Sequence, residues 1–160
     1  MKDYSKGTGD KAITVSANIS PEQVKFFLSR IEAAIESYSF SEEKIFGSPD
    51  KSGYAQVTKF KLIRATKDAK GNIRKLPWYI EIENGKGIPV QNASGGTYMK
   101  PNSFVSTGKA YANMSDLDLY ERLSRVSSYI NCWELAMAPY LIKKAKEELE
   151  KAGNDGKCFS

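Results

Sequence analysis

The chain has 160 residues, 41% of them hydrophobic and 27% charged, with a formal net charge of +5. That length suits one domain rather than two, and the composition is near the globular average, which points to a folded rather than a disordered chain. With no histidine and only two cysteines, Cys132 and Cys158, Ser-His-Asp and Cys-His catalysis, His-containing metal centres and a disulfide framework all fall away.

Residues 1–10 are polar and glycine-rich and predict a flexible tail. In Ala12 to Ile19, Ile13, Val15, Ala17 and Ile19 alternate with polar residues, the pattern of a half-buried strand. Ser20-Pro21-Glu22-Gln23 follows. Ser20 is placed to cap a helix, Pro21 suits its first position and Gln23 closes a capping box. Val24, Phe27, Leu28, Ile31, Ile35 and Tyr38 recur at helical spacing and predict a helix to about Tyr38. Ser41-Glu42-Glu43 predicts a short turn ending at Gly47, and residues 48–53 read as a loop.

The middle of the chain is β in character. Tyr54 to Thr66 places Thr58, Phe60 and Leu62 on one face, and residues 67–72 form a turn. Ile73 to Glu83 puts Leu76, Trp78, Ile80 and Ile82 on one face and Lys75, Tyr79, Glu81 and Glu83 on the other. Trp78 therefore belongs to the core and Tyr79 to the charged side. Pro77 predicts an edge or a bulge. Asn84 to Gly87 reads as a turn before a short third strand, Ile88 to Gln91, which completes a meander. Residues 92–113 read as a long connection with one short strand near Phe104.

Ser115 caps the last unit, with Asp116 and Asp118 in its first turn. Leu119, Leu123, Val126, Ile130, Trp133 and Met137 step by four and three along one face, with Cys132 beside Trp133 as a small core residue. Pro139 predicts a break, after which the helix resumes to about Ala152. The expected fold is thus α+β: an antiparallel β-meander packed against an N-terminal helix and a long, Pro-kinked C-terminal helix pair. It forms one domain over residues 1–160, with 1–10 and 153–160 as tails. The polar start and the absence of an apolar run of about 18 residues predict a cytoplasmic chain with no membrane partner.

Motifs for cofactor chemistry are incomplete. Gly85-Lys86-Gly87 lacks a third glycine and a following helix, and Ser106-Thr107-Gly108-Lys109 lacks the upstream glycine of a phosphate loop. No metal pattern is present, since Ser115 with Asp118 is explained by capping. No cofactor, metal or catalytic residue is expected, and the chain does not read as an enzyme.

The informative signal is charge placement. Residues 51–109 hold nine Lys and two Arg against Asp68, Glu81 and Glu83, a local +8 that leaves −3 on the flanks. Lys59, Lys61, Arg64, Lys67, Lys70, Arg74 and Lys75 crowd into one predicted hairpin that also carries Tyr79. Tyr98, Lys100 and Lys109 lie in the connection that follows. Cations displace counterions from phosphates and exposed aromatic rings stack on unpaired bases. Lys outnumbers Arg, which favours backbone contact over base reading.

The strand, Ser20-Pro21-Glu22-Gln23 and amphipathic helix together resemble the strand-to-helix junction of PC4-like and Whirly single-stranded-DNA-binding folds. The resemblance spans about fifteen residues and carries no functional residue across. The lysine-rich make-up without cofactor motifs also resembles accessory proteins of phages and mobile elements. The leading expectation is a nucleic-acid-binding accessory protein of low sequence specificity, with single-stranded DNA or RNA favoured. The alternatives are a protein that docks its basic face on an acidic or nucleic-acid-binding surface of a partner, and an enzyme or small-molecule binder that uses the 92–113 connection. Homodimerisation is compatible with each.

Overall fold

Four long antiparallel strands in one sheet organise the chain. The structure is a computed structural model and describes residues 1–155. In chain order it contains β1 (Lys2–Asp3), a 3-10 turn (Gly9–Lys11), β2 (Ile13–Thr14), α1 (Pro21–Glu32), β3 (Ser37–Phe46) and β4 (Ala55–Ala65). Then come β5 (Trp78–Gly87), β6 (Pro89–Gln91), β7 (Thr97–Met99), β8 (Val105–Met114) and α2 (Asp116–Asp155). The sheet order is β3-β4-β5-β8, with β1-β2 and β6-β7 as separate two-stranded pairs. The α+β class and its antiparallel sheet are as the sequence predicts. Cys158 lies outside the described residues.

The capping box of α1 forms as its sequence requires. The Ser20 Oγ accepts from the Gln23 backbone N–H at 3.2 Å, and the Gln23 side-chain oxygen accepts from the Ser20 N–H at 2.9 Å. Val24, Phe27 and Ile31 bury their side chains against the sheet. The helix stops at Glu32 rather than continuing to Tyr38, because Ala34 adopts a left-handed φ of 48° that ends the helical path. Tyr38 instead belongs to β3, whose register runs from Ser37 opposite Ala65 to Phe46 opposite Gln56. The predicted turn at Ser41-Glu42-Glu43 is the middle of this strand. Tyr38, Phe40, Glu42 and Lys44 turn to the face that α1 covers, and the alternating serines turn to the other.

The core lies between α1 and this covered face. Phe27 packs on Phe40 at 5.1 Å and on Phe60 at 6.2 Å between ring centroids. Leu62, Trp78, Ile82, Ala110, Val15 and Leu119 complete the cluster. Residues 12–19 form little strand, since only Ile13 and Thr14 pair, with Lys2 and Asp3. The segment is held instead by Asn84, which donates to the Ser16 carbonyl at 2.8 Å and accepts from its N–H at 2.9 Å. The predicted N-terminal tail thus contributes a strand, and the Met1 ammonium reaches the Val15 carbonyl.

Residues 84–87 are not a turn. β5 runs through them, with a register irregularity between Asn84 and Gly85. A Cβ on Gly85 would stand 2.4 Å from the Val105 carbonyl oxygen and 2.6 Å from the Phe104 ring. Only glycine admits that approach, so the residue serves packing rather than a reverse turn. Pro77 sits just before β5, which is a central strand, so its missing N–H falls outside the ladder and its carbonyl accepts from Ala65 at 2.9 Å. The fourth strand comes from the predicted connection, as β8, and Ser106 to Lys109 lie within it. Residues 89–91 leave the sheet and pair with β7 instead of forming the third strand of a meander.

One helix, α2, spans Asp116–Asp155, with Pro139 inside it rather than dividing two helices. Ser115 and Asp118 form the expected cap: the Asp118 N–H donates to the Ser115 Oγ at 3.1 Å, and the Asp118 carboxylate accepts the Ser115 N–H at 3.2 Å. Leu119 is buried, but Cys132 is exposed and Trp133 is half exposed, so the expected core role of Cys132 does not hold. Among the described residues, no helix is long and apolar enough to cross a membrane.

Candidate nucleic-acid interface

The sheet has one face under α1 and one face open, and the strand register assigns each predicted site residue to a place. Lys59 and Lys61 of β4, Tyr79 of β5 and Lys109 of β8 stand on the open face. Arg64 does not. It has the opposite parity, lies 5% exposed on the packed face and points at the start of α2. Its guanidinium makes three contacts of 2.9–3.2 Å to the Asp116 carboxylate, which also accepts the Trp78 indole N–H at 2.7 Å. Arg64 is therefore a structural ion pair, out of reach of a ligand on the open face.

The open-face lysines are themselves matched by carboxylates. Glu81 sits opposite Lys61 in the ladder and takes Lys61 at 3.3 Å and Lys109 at 2.9 Å. It also accepts the Tyr79 hydroxyl proton. Burial pushes the Glu81 carboxyl up, but the hydrogen bonds from Tyr79, Lys109 and Lys61 outweigh it and bring it down to about 2. The same contact with Glu81, helped by burial, pushes the Tyr79 phenol up to about 12. Lys59 meets Glu43 at 3.7 Å and lies over the Phe104 ring at 3.8 Å. Through Phe104 and its approach to Gly85, the β6-proximal end of the face is covered. With Glu83 added, the three lysines face three carboxylates, so this face carries far less positive charge than the sequence total suggests.

The remaining cations divide between opposite ends of the sheet. Strands of ten residues separate those ends by about 33 Å. Tyr98 and Lys100 belong to the β6-β7 hairpin at one end, where Tyr98 and Glu43 line a cleft of about 660 Å³. Lys67, Lys70, Arg74 and Lys75 belong to the β4-β5 connection at the other end, and all four are exposed.

That connection is an ordered tip. Lys67 bridges Ile73, and Arg74 donates its N–H to the Thr66 carbonyl at 2.8 Å. Asp68 staples the turn: its carboxylate accepts the N–H groups of Lys70 at 2.8 Å and Asn72 at 2.9 Å, and the Asn72 side chain at 3.0 Å. Those hydrogen bonds, led by the Asn72 side chain, hold the Asp68 carboxyl below its usual range. Gly71 supplies the left-handed φ of 83° that closes the turn. The only carboxylate of the tip is thus engaged with the tip's own backbone. Among the described residues, none of the four cations has an ion-pair partner.

Next to this tip, at the uncovered end of the open face, lie Tyr79 and Tyr111. Their rings are 5.8 Å apart with a 30° tilt. Tyr111 is 63% exposed and is the more accessible of the two. It is absent from the sequence-based set because residues 92–113 read as a connection. The alternation of Lys109, Tyr111 and Asn113 was the signal that places it outward. Among the described residues there is no cluster of ligands for a metal ion. Comparison with protein-family models, curated proteins and solved structures finds no match to this chain.

Proposed function

We propose that the protein binds single-stranded nucleic acid at the tip-proximal end of its open sheet face. Lys67, Lys70, Arg74 and Lys75 contact phosphates, and Tyr111, backed by Tyr79, stacks on an unpaired base. One observation carries this reading: four exposed cations without carboxylate partners stand on an ordered tip beside an exposed aromatic pair. The geometry favours single strands because a tyrosine face needs a base that is not already stacked in a duplex. It favours low sequence specificity because three of the four cations are lysines, which contact the backbone as point charges. Arg64, Tyr98 and Lys100 have no part in it, while Lys61 and Lys109 line the path across the face, tied to Glu81.

Fluorescence anisotropy of a labelled single-stranded oligonucleotide tests this. Four phosphate contacts give a slope of log K against log salt of about −3, at roughly −0.7 per contact on single strands. Tyr111→Ala weakens affinity by about 1–3 kcal/mol, the contribution of one stacked base. No binding at low salt contradicts the proposal. Capture of one protein from lysate that survives nuclease treatment points to docking on a protein partner instead.

A further inference from the structure

The two edges of the main sheet are unlike. The β1-β2 pair lies against β8, whereas β3 stands at the other edge with no strand paired to its outer side. The Thr66 N–H donates to the Glu36 carbonyl at 3.2 Å, so the even-numbered residues of β3 turn their backbone groups to β4. The N–H and C=O groups of Ser37, Ser39, Ser41 and Glu43 therefore point outward, and among the described residues no backbone strand receives them. Edges are ordinarily guarded by proline, bulges, short strands or lysines. β3 runs ten residues in unbroken register without proline. Its one lysine, Lys44, is turned to the Asn18 carbonyl at 2.8 Å and to Glu42 at 3.2 Å. Such an edge is a template for another strand.

The charges of β3 select that strand. An antiparallel copy of β3 can be centred on any residue from 39 to 43. Centring on Ser39 sets Glu36 opposite Glu42, and centring on Glu42 or Glu43 sets that glutamate opposite itself. Centring on Ser41 sets Glu36 opposite Phe46 and Glu42 opposite Phe40. Centring on Phe40 sets no like charges opposite one another: Glu36 meets Lys44, Ser37 meets Glu43, Tyr38 meets Glu42, Ser39 meets Ser41 and Phe40 meets itself. Every outward-facing residue then pairs with another outward-facing one, as a ladder requires.

α1 fits the same two-fold. Phe26 is 44% exposed and lies 6.4 Å from Tyr38 between ring centroids, beside the β3 edge. Ser29 and Ala33 on this flank are exposed too, so α2 leaves it uncovered. Gln23 donates to Glu42 at 3.1 Å and Phe27 packs on Phe40, which sets Phe26 near the level of Phe40. Inversion about that level brings Phe26 to Phe26 and Arg30 to Glu22 of the other copy. Arg30 rests over the Phe26 ring at 4.3 Å and, among the described residues, has no carboxylate partner. Lys25 and Glu32 lie about 100° or more round the helix from Phe26, away from the edge. Because Phe27 packs on both Phe40 and Phe60, α1 lies above β3 and β4. Strands about 4.8 Å apart then set the two α1 axes about 10 Å apart, an ordinary helix-packing distance.

We propose that β3 pairs with β3 of a second copy, antiparallel and centred on Phe40, joining two four-stranded sheets into one. The pairing adds about eight main-chain hydrogen bonds, two for each facing pair of outward residues. The two tips then stand at opposite ends of the joined sheet, so the pairing is independent of the nucleic-acid reading.

Sedimentation equilibrium of the full chain, free of nucleic acid, tests it. The expected result is twice the monomer mass at micromolar concentration. Ser41→Pro removes an outward N–H that the β3-β4 ladder does not use, and yields a monomer with an unchanged circular dichroism spectrum. Glu36→Lys faces Lys44 of the other copy and weakens the dimer about tenfold, since the change falls on both sides of the two-fold. Adding Lys44→Glu restores the association. A wild-type chain that stays monomeric at high micromolar concentration overturns the proposal, even if its edge takes up an extended peptide of another protein. A Ser41→Pro dimer as tight as the wild type overturns it as well, and so does failure of the double charge exchange to restore what the single change loses.

Discussion

Asp116 and Glu81 hold similar arrangements on opposite faces of the sheet. Each carboxylate receives at least one cationic side chain and one aromatic donor: Arg64 with Trp78 on the packed face, Lys61 and Lys109 with Tyr79 on the open face. They differ in which partner is buried. On the packed face the cation is buried and the carboxylate is half exposed. On the open face the carboxylate is buried and both lysines reach solvent. Removing the carboxylate therefore strands a buried charge in one case and releases two hydrated ones in the other. The packed-face cluster fixes the start of α2 against the sheet, and the open-face cluster neutralises lysines that would otherwise add to the positive field.

The largest effect is expected at Asp116. Asp116→Ala leaves the Arg64 charge buried and unpaired, and should lower unfolding free energy in urea by about 3–5 kcal/mol. Adding Arg64→Met should recover most of that loss, because an apolar replacement removes the stranded charge. A loss under about 1 kcal/mol from Asp116→Ala would mean that the two faces do not differ as described. Gly85→Ala comes next, at about 1–3 kcal/mol, since its methyl meets backbone and the Phe104 ring that covers one end of the open face.

Glu81→Gln is expected to be milder, at about 1–2 kcal/mol, because Lys61 and Lys109 regain water. Its pH signature is more informative than its size. The Glu81 carboxyl is brought from its ordinary 4.5 down to about 2 in the fold. Its stabilisation is fully present above the ordinary value and is lost as pH falls towards 2. Acid unfolding of the Gln variant should lack that part of the slope. An identical acid limb in both proteins would remove Glu81 from the account. The smallest stability effect belongs to the tip. Changing Lys67, Lys70, Arg74 and Lys75 to Gln should each move stability by no more than about 0.5 kcal/mol, since these side chains make no ion pairs.

Much of the fold was legible where a pattern was local. The α1 start, the strand centred on Phe60 and Leu62, the burial of Trp78 and the Ser115 cap follow from spacing and capping chemistry alone. β3 was hidden because Ile35 and Tyr38 continue the helical spacing of α1, while the alternation of Ser37 to Ser41 with Tyr38 and Phe40 begins in the same residues. β8 was hidden by its small residues, Gly108, Ala110 and Ala112, which carry little strand signal but suit the packed face, where Ile13 and Val15 come close to Gly108. Gly85 resembles a turn in sequence because close approach and chain reversal ask for the same residue.

The candidate site was legible in composition and not in placement. The count of cations in the β4-β5 hairpin was correct, but parity and cross-strand register divide them. Arg64 is drawn into the core by an aspartate 52 residues away, and Lys61 and Lys109 meet at a glutamate between them. Such pairings depend on register between strands, which a linear count of charge does not contain. What survives as uncompensated charge is the tip, held by the local Asp68 turn.

The most direct measurement compares two variants by the salt dependence of single-stranded oligonucleotide affinity. One replaces Lys67, Lys70, Arg74 and Lys75 with Gln, and the other replaces Lys59, Lys61 and Lys109. The account predicts that the tip variant loses nearly the whole slope, about 3 units of log K per log salt, at roughly 0.7 for each lost phosphate contact. The face variant should keep most of the wild-type slope, because its lysines are already held by Glu43 and Glu81. A slope that survives in the tip variant and vanishes in the face variant would contradict the assignment.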